Sequence, residues 1–593
     1  MVKNIRNRLK KILKIADQWL LYLSLACSVA ILFNLGYNKD LETVLLLNHT
    51  LHYTFFLFGI IHIVRLILIL LYLKKRRLIQ YGEILLSLYF LCVMLSNVFG
   101  ISIGHLHFLQ IEWAYIGIFA TLLIEVSKVS LFFDDFYFNP TILFVLSFLL
   151  LILLGTVLLV LPNSTTDGHL GFVDAIFTAT SAVCVTGLTA FDVSVKFSQF
   201  GQTVILVLIQ LGGLGIMTFT GFFGYFFTGG FSYKNQLMYT ELLSEDKIGS
   251  VIKTLSKIVF ITLLFEAIGA VFIFLNLPSD FLNSYGERVY FCVFHAISAF
   301  CNAGFSTIQD GLYNPNLRFN YNIHLIIAVL IIFGGLGFNI MVNTYAFFKR
   351  RLISFYRKIR YKEDYKYMAQ ELSFTSRIIL YTTAILLAGG TILFFILEYN
   401  HSLLEHKTFW GKAVSAFFLS VTPRSAGFST VNMEGLAFPS IMVIFFLMWV
   451  GASPGSNGGG IKTTTFAISF FNILSIARGK ENLELFKRRI TKDTSIRALA
   501  VIILSFIVIG TVLFLLSITD GEKDFRALAF ESLSAFAISG LSLGITPELS
   551  EGGKIILVFA MFIGRIGALT LLIAFVKNTK VKAYKYPSDT VQL

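Results

Sequence analysis

Long apolar stretches run through this chain and are separated by polar or charged segments. A helix needs about 20 consecutive, mostly apolar residues to cross the hydrocarbon core of a bilayer. Twelve stretches of that kind recur, and they predict an all-α integral membrane protein with twelve spans. They lie near 17–37, 52–73, 82–102, 113–133, 141–161, 202–227, 254–277, 322–347, 376–397, 438–473, 495–518 and 554–576.

The last eight stretches form four pairs, and each pair encloses a shorter apolar segment of 12 residues. These segments are too short to cross a bilayer and too apolar to be exposed loops. We therefore interpret them as re-entrant pore helices. The four segments are Phe172–Val183, Tyr290–Cys301, Trp410–Val421 and Phe525–Phe536.

One glycine follows each predicted pore helix, namely Gly187, Gly304, Gly427 and Gly540, at spacings of 117, 123 and 113 residues. Glycine adopts backbone angles that are closed to other residues and leaves room for close approach. A repeat of this length in a membrane chain indicates four pseudo-symmetric helix–pore helix–helix units around a central pore. Backbone carbonyls that meet at such an axis can replace the hydration shell of an alkali cation.

Glycine is also common where membrane helices pack closely, which accounts for Gly212, Gly213 and Gly215 and for their counterparts at 334–337. Close packing does not explain a glycine at one fixed place after each pore helix. We therefore predict an ion filter at these four turns. Its residues are Val185, Thr186, Gly187, Asn302, Ala303, Gly304, Ser425, Ala426, Gly427, Ile538, Ser539 and Gly540.

A glycine-rich segment, Gly451–Thr463, interrupts the second helix of repeat three. Unwound backbone at membrane depth is tolerated only where it is buried in protein or lines an aqueous cavity. Its place below the filter predicts a gate, and the alternative is a simple loop between two half-helices. No strand precedes it and its lysine spacing is wrong for a phosphate-binding loop. The gate residues are Gly455, Ser456, Asn457, Gly458, Gly459, Gly460 and Lys462.

Arg565 lies in the middle of the last predicted span. A central arginine costs about 2.5–3.5 kcal/mol on insertion scales, so it should face the protein interior or a partner. It would repel cations if it faced the pore, or it would hold the gate loop by its carbonyls. The alternative is a structural pair with an acidic residue such as Glu266. We expect Arg424 to point away from the pore, and His295 and Glu531 to brace the pore helices.

Composition supports a membrane protein and constrains its orientation. The chain is 56% hydrophobic and 14% charged, whereas a soluble domain is about 25% charged. The net charge of +14 is concentrated between the apolar runs, which is the positive-inside pattern and not a nucleic-acid-binding motif. We therefore predict a multi-pass protein of the cell membrane, with cytoplasmic termini and filter turns that face outward. The five cysteines show neither metal-ligand spacing nor a disulfide framework.

The first four spans do not share the repeat pattern, and we treat residues 1–137 as a separate module. A voltage sensor needs arginines at regular spacing, but the second span has only Arg65 and the fourth only Lys128 beside Glu125. A packing or partner-docking module fits better. The other predicted boundaries are 138–228, 250–348, 372–475 and 493–577 for the four repeats and 578–593 for a cytoplasmic tail.

The chemistry of an enzyme is absent from these patterns. We find no nucleophile–base pair, no paired carboxylates and no nucleotide-binding domain, so we predict a non-enzymatic protein without a cofactor of its own. A cation pore is the leading interpretation. A polytopic membrane enzyme or scaffold, whose repeats are only architectural, remains the alternative from another class.

Residues from about 140 to 577 resemble the potassium-translocating membrane subunits of the Trk/Ktr/HKT superfamily, and they are TrkH/KtrB-like. The resemblance depends on one motif in each of the first three repeats and on the glycine-rich segment. These motifs are Thr178–Leu188, Phe294–Phe305, Thr422–Phe428 and Gly451–Thr463.

The resemblance implies potassium uptake through a pseudo-fourfold pore, with K⁺ held at the filter residues. It implies a gate made by Gly455–Gly460 with Arg565, a homodimer, and a cytosolic nucleotide-binding regulatory subunit of the TrkA/KtrA type. Nucleotide would then act only through that partner. In this superfamily four filter glycines accompany potassium preference, and serine at the first accompanies sodium.

Two features depart from the superfamily pattern. Repeat four reads Ile538–Ser539–Gly540 where related chains often carry Thr-Val-Gly, and the four N-terminal spans are extra to an eight-span core. A sodium-coupled or sodium-permeable transporter of the same fold therefore stays open as an alternative.

Overall fold

Within the part of the chain that the structure describes, the elements are helices apart from one short hairpin, Glu484–Leu485 paired with Arg488–Arg489. This description comes from a computed structural model. It covers residues 2–37, 41–72, 79–99, 111–129, 140–215, 251–278, 281–282, 284–361, 372–480 and 482–575. The fold class expected from the sequence is confirmed: a membrane protein of four helix–pore helix–helix repeats, preceded by four helices.

The four N-terminal helices form a bundle with a core of their own. Phe55, Phe58, Phe90 and Ile118 are fully buried at its centre. Aromatic and aliphatic side chains fill this core. The helices are Val2–Gly36, Leu41–Tyr72, Ile79–Phe99 and Ile111–Val129.

Arg65 ties three of these helices together. Its Nη1 lies 2.8 Å from Asp17 Oδ1 and 3.2 Å from Glu125 Oε1. A charge buried in an apolar bundle needs such partners. This arginine therefore has a packing role inside the module.

The N-terminal bundle contacts the core at the end of its first helix. Asn163 Nδ2 donates to Leu35 O at 2.9 Å. A Cβ placed on Gly36 would lie 2.6 Å from Leu161 Cδ1, so the two chain segments touch there. This contact joins the bundle to the loop after the first helix of repeat one.

Each repeat contains a first helix, a pore helix and a second helix. The pore helices begin within a residue of their predicted starts, except in repeat two. There the helix begins five residues earlier, at Tyr285, because the Ser284 side chain accepts from Gly286 N and caps it. The first helices are Pro140–Val160, Val251–Asn276, Phe374–Leu397 and Lys492–Thr519, and the pore helices are Phe172–Cys184, Tyr285–Cys301, Phe409–Val421 and Phe525–Ala537.

The second helices are broken, which corrects the continuous spans expected near 322–347 and 554–576. Gly215, Gly337 and Gly567 end helices with φ of 75°, 87° and 89°. A positive φ cannot continue a right-handed helix, and glycine adopts it readily. The segments are Gln199–Leu214, Tyr321–Leu336 with Phe338–Tyr361, Phe438–Trp449 with Thr463–Ala477, and Glu551–Ile566 with Ala568–Phe575.

Five described helices are long and apolar enough to cross a membrane, or six when the pair bent by 106° at Gly337 counts as one span. Most of the other predicted spans appear as shorter apolar helices, in part because of the glycine breaks. Several predictions lie outside the described residues: the second half of the 202–227 span, the 137/138 boundary and the 578–593 tail.

Candidate ion filter and gate loop

All four filter turns have a left-handed residue two positions before the glycine, and three of them share one backbone shape. In repeats one, two and four the pore helix is followed at once by a left-handed residue: Val185, Asn302 and Ile538 have φ of 61°, 63° and 54°. The next backbone N–H then donates back to a serine carbonyl in the last helical turn, at 2.7, 2.7 and 2.9 Å. This bond is the helix-ending pattern in which a left-handed residue turns the chain sharply. The acceptors are Ser181, Ser298 and Ser534.

Two of these left-handed residues are β-branched. Val185 and Ile538 are fully buried, and a positive φ places a branched side chain against its own backbone. Such strain persists only where the surroundings impose it, and it is concentrated at functional sites. The packing around these turns therefore imposes their shape.

The four filter glycines form a closed ring. A Cβ placed on Gly187 would lie 2.6 Å from Ala303 O, and one on Gly304 would lie 2.7 Å from Gly427 Cα. The cycle continues through Gly427, where a Cβ would lie 3.3 Å from Ser539 O. It closes at Gly540, where a Cβ would lie 2.1 Å from Thr186 O.

This cyclic order fixes what the ring can do chemically. Each turn lies against the backbone of the next repeat, so the four repeats meet at one axis. Backbone carbonyl oxygens from four turns are thereby brought together, and carbonyl oxygens are the ligands that replace water around an alkali cation. The structure thus brings the twelve predicted filter residues into one place.

Hydroxyls behind the ring hold the turns. Ser181 Oγ accepts from Gly187 N at 3.1 Å, and Ser298 Oγ donates to Phe305 O at 2.8 Å. In repeat four, Ser539 Oγ donates to Pro423 O of the neighbouring turn at 3.1 Å. These bonds fix backbone that has no secondary structure of its own.

The bracing roles expected for two buried polar residues are confirmed by their hydrogen bonds. His295 joins Phe291 O and Ser306 Oγ, each at 2.9 Å, and so links the pore helix to the chain beyond the filter. Glu531 accepts from Ser542 Oγ in the corresponding place of repeat four.

The serines in the last turn of these three pore helices share a sequence pattern, which the sequence analysis did not identify. Three repeats read Ser-Ala, then Val or Phe, then Cys or Ala, directly before the filter residues. The segments are Ser181–Cys184, Ser298–Cys301 and Ser534–Ala537.

A cavity of about 390 Å³ lies over the ring, on the face opposite the gate loop. Gly187 and Gly540 form part of its floor, and Asp310, Tyr313 and Glu434 line its wall. Two carboxylates beside the entrance make this mouth attractive to cations.

The gate loop packs directly against the opposite side of the ring. Gly459 N donates to Ser425 Oγ at 3.1 Å, and Ser425 Oγ donates to Ala537 O at 3.1 Å. A Cβ placed on Gly458 would lie 3.0 Å from Ser425 Cβ, and one on Gly459 would lie 2.6 Å from Ile538 Cδ1. Glycines at these positions let the loop reach the first filter residues of repeats three and four.

The loop is also anchored to repeat two. Ser453 N donates to Gly335 O at 3.0 Å, and Asn457 N donates to Gly334 O at 3.4 Å. The Asn457 side chain adds a bond from Nδ2 to Phe300 O at 3.2 Å. The loop therefore spans the space beneath the ring between repeats two and four.

Bonds within the loop set its shape. Lys462 Nζ donates to Gly458 O at 2.6 Å, and Ser456 Oγ donates to Ser453 O at 2.6 Å. Gly455 and Gly460 both have φ of 69°, so each supplies a bend that other residues would resist. All of the predicted gate residues of repeat three lie in this one loop.

Arg565 holds the loop by a carbonyl, which was one of the two roles expected for it. Its Nη1 donates to Asn457 O, and its Nη2 donates to Gly212 O at 2.5 Å. Glu266, the suggested acidic partner, instead accepts from Gln210 Nε2 at 3.1 Å. The arginine thus joins the second helices of repeats four and one to the loop of repeat three.

The position of Arg565 can be compared among the four second helices. Three carry a glycine whose added Cβ would lie 2.0–2.1 Å from a pore-helix carbonyl: Gly212, Gly334 and Gly564. Gly451 occupies the same place in repeat three, counted from the start of its helix. The next residues are Gly213, Gly335, Ala452 and Arg565, so three repeats have a small residue where the fourth has an arginine.

Arg424 is buried beside the filter turn of repeat three, and its orientation away from the pore stays a prediction. It is 8% exposed, and its Nη2 donates to Gly451 O at 3.2 Å. This bond connects the filter turn of repeat three to the first residue of the glycine-rich segment.

Comparison with known proteins assigns the fold and the family. The model of the TrkH family, described as a cation transport protein, matches residues 114–585. The crystal structure of the potassium transporter TrkH from Vibrio parahaemolyticus has the same fold, with a TM-score of 0.58 at 15% identity over 88% of this chain and 97% of that one.

Two similar proteins match in sequence over most of their length. The potassium/sodium uptake protein NtpJ of Enterococcus hirae is 34% identical over 77% of this chain and 97% of its own. The Ktr system potassium uptake protein B of Vibrio alginolyticus is 36% identical over 75% of this chain and 93% of its own.

Proposed function

The chain belongs to the TrkH family of cation transport proteins, and we propose that it takes up potassium across the cell membrane. The observation that carries this proposal is the closed ring of four filter glycines. A Cβ on three of these glycines would lie 2.1–2.7 Å from the next repeat, and one on Gly427 would lie 3.3 Å from it, so the ring leaves little room for side chains. Carbonyl oxygens at such an axis favour a dehydrated alkali cation.

Permeation through this ring needs no covalent step. The ion enters from the cavity lined by Asp310 and Glu434, exchanges water for backbone oxygens, and meets the gate loop. An inside-negative potential favours entry by about 2.3 kcal/mol per charge per 100 mV. The Arg565 guanidinium both holds the loop closed and repels a cation beneath the ring, and an open gate requires that it move.

Assembly and control come from outside this chain in our proposal. Two curated relatives carry names that place them in a Ktr system, which supports a membrane subunit with further components. We propose a homodimer with a cytosolic nucleotide-binding regulatory subunit, and cytoplasmic termini. Exposed basic residues Lys349, Arg350 and Arg351 then lie on the side of the regulator.

Rescue of a potassium-uptake-deficient bacterium at limiting potassium tests the proposal, with rubidium and sodium fluxes measured in parallel. We expect wild type to rescue growth and to carry rubidium, and Gly304→Ser to weaken both. The matched control is Gly389→Ser, because a Cβ at Gly389 meets nothing within 4 Å. Equal rubidium flux through wild type and Gly304→Ser at equal membrane abundance would rule out this ring as the filter.

A sodium-permeable transporter is the second candidate, and the name of the potassium/sodium uptake protein NtpJ favours testing it. Ser539 in repeat four, at a position where related chains often carry valine, is the corresponding feature of this chain. Sodium flux comparable to rubidium flux in the same cells would select this candidate over strict potassium uptake.

A further inference from the structure

The first filter residues of repeats three and four contact the gate loop. Ser425 reaches Gly459 N, and the Ile538 side chain packs near Gly459. In repeat two the Asn302 amide lies against the second helix, with Oδ1 2.6 Å from where a Cβ on Gly334 would be. Its Nδ2 lies 3.5 Å from the corresponding point on Gly335.

The Asn302 amide is buried and unpaired. The residue is 0% exposed, and neither Oδ1 nor Nδ2 has a hydrogen-bond partner among the residues that the structure describes. Burial of an amide without partners costs free energy, and most buried amides are satisfied. An unpaired amide at the first filter residue therefore indicates an occupant that the protein itself does not supply.

Backbone shape does not explain this asparagine. Asparagine tolerates the left-handed region better than most residues, and Asn302 has φ of 63°. Val185 and Ile538 adopt the same shape at the equivalent positions, so the turn does not require an amide. Packing does not require one either, since in repeat four the apolar Ile538 fills this place, with Cγ1 3.3 Å from where a Cβ on Gly564 would be.

The neighbours of Asn302 place it beside the gate loop. Phe300 O, two residues earlier, accepts from Asn457 of the gate loop, and Gly334 O and Gly335 O accept from the loop backbone. The amide thus lies where the ring ends and the loop begins. The other polar first residue, Ser425, is already engaged by Gly459 N and Ala537 O.

We propose that the side-chain carbonyl of Asn302 is a ligand for a dehydrated alkali cation at the inner end of the filter. The site holds the ion between the ring and the gate loop. It gives one of the four repeats a side-chain oxygen in addition to its backbone carbonyl. This inference builds on the proposed function, because it presumes that the ring conducts.

Block by barium, a divalent cation close to potassium in size, tests the site. Full-length protein in liposomes, together with its regulatory subunit if flux requires one, would be assayed for rubidium flux with barium on the gate-loop side. Asn302→Asp places a charge at the ligand position, and we expect it to lower the half-blocking barium concentration by at least about tenfold. Asn302→Leu removes the oxygen and should raise that concentration several-fold.

Asn432→Asp is the matched control, because Asn432 lines the cavity on the opposite face of the ring. It should alter barium block from that face only. Barium block of Asn302→Asp and Asn302→Leu within twofold of wild type would overturn the inference and leave a buried water as the partner of the amide. Absence of rubidium flux in wild type would instead overturn the proposed function, and this site with it.

A second measurement does not depend on the variants. In crystals of wild-type protein soaked with barium, an anomalous peak within ligating distance of Asn302 Oδ1 is expected. Barium density confined to the ring of backbone carbonyls would contradict the site.

Discussion

Repeat three differs from the other three repeats in two places that touch each other. Its pore helix ends at Val421, four residues before the left-handed Ser425, whereas the other pore helices end one residue before theirs. Its second helix is interrupted by a loop, where the described parts of the others break at one glycine. The bond from Arg424 to Gly451 joins the two irregular segments.

This comparison separates two tasks within one fold. The regular repeats supply helix ends that turn sharply and brace the ring. Repeat three is less regular. Its gate loop contacts its own filter turn and occupies the space beneath the ring. The following predictions are ordered from the largest expected effect to the smallest.

Substitution in the regular part of the ring should have the largest effect. In Gly540→Ala the new Cβ would lie 2.1 Å from Thr186 O, and the backbone φ of 76° disfavours alanine. The obstacle is backbone, so it cannot rotate away. We expect rubidium uptake to fall by more than about a hundredfold, equivalent to about 2.7 kcal/mol.

The control for that substitution is Gly389→Ala, which meets open space within a helix of repeat three. It should retain uptake near the wild-type level. Substantial uptake by Gly540→Ala at normal abundance would mean that the ring is not the conducting path.

Arg565→Ala makes the fourth repeat resemble repeat three, which has Ala452 at the equivalent position. The variant loses the charged bonds to Asn457 O and Gly212 O. Each such bond contributes about 1.5–3 kcal/mol, so basal flux without a regulatory signal should rise about tenfold or more. The basal flux is measured as rubidium flux into liposomes in the absence of nucleotide.

Arg526→Ala serves as the comparison, since Arg526 is exposed at the start of a pore helix and pairs with Asp524. It should leave basal flux unchanged. A decrease of basal flux in Arg565→Ala would show that the arginine does not keep the loop closed.

Arg424→Leu breaks the connection between the irregular segments of repeat three. It removes one charged hydrogen bond to Gly451 O, and we expect a loss of stability of about 1.5–3 kcal/mol. The melting temperature of the purified protein in detergent should fall accordingly. Arg478→Leu, at an exposed helix end, should not change it; equal melting of both variants would argue that the connection is unimportant.

Substitution of the serines behind the ring should have the smallest effect, and this effect should differ between the regular repeats. Ser181 Oγ accepts from Gly187 N, whereas Ser534 Oγ has no partner among the described residues. Ser181→Ala should cost about 0.5–1.5 kcal/mol, and Ser534→Ala should be neutral or stabilising. The difference between their melting temperatures measures this, and the reverse order would contradict the proposed bracing.

The pore helices and filter glycines could be predicted from sequence because they depend on local patterns. A short apolar segment followed by glycine is visible without knowledge of the fold. The breaks at Gly337 and Gly567 were missed, because hydropathy continues across them and does not report a positive φ. They become visible only when the four second helices are aligned with one another.

Carbonyls of the gate loop were one expected partner of Arg565, but which carbonyls it binds could not be predicted from sequence. They are backbone carbonyls of Asn457 and Gly212, which lie 108 and 353 residues away in the chain. A carbonyl is present at every residue, so no pattern of side chains identifies it. In the N-terminal bundle, likewise, the Arg65 contacts depend on how three helices pack.

Arg565 has a consequence for how such a pore can evolve. In a tetramer of identical subunits, one codon change would place four guanidinium groups around the same axis, where like charges repel strongly. Because the four repeats here are encoded in one gene, each position can change alone. A single polypeptide can therefore carry one positive charge beneath a fourfold ring, which a pore built from identical chains cannot do.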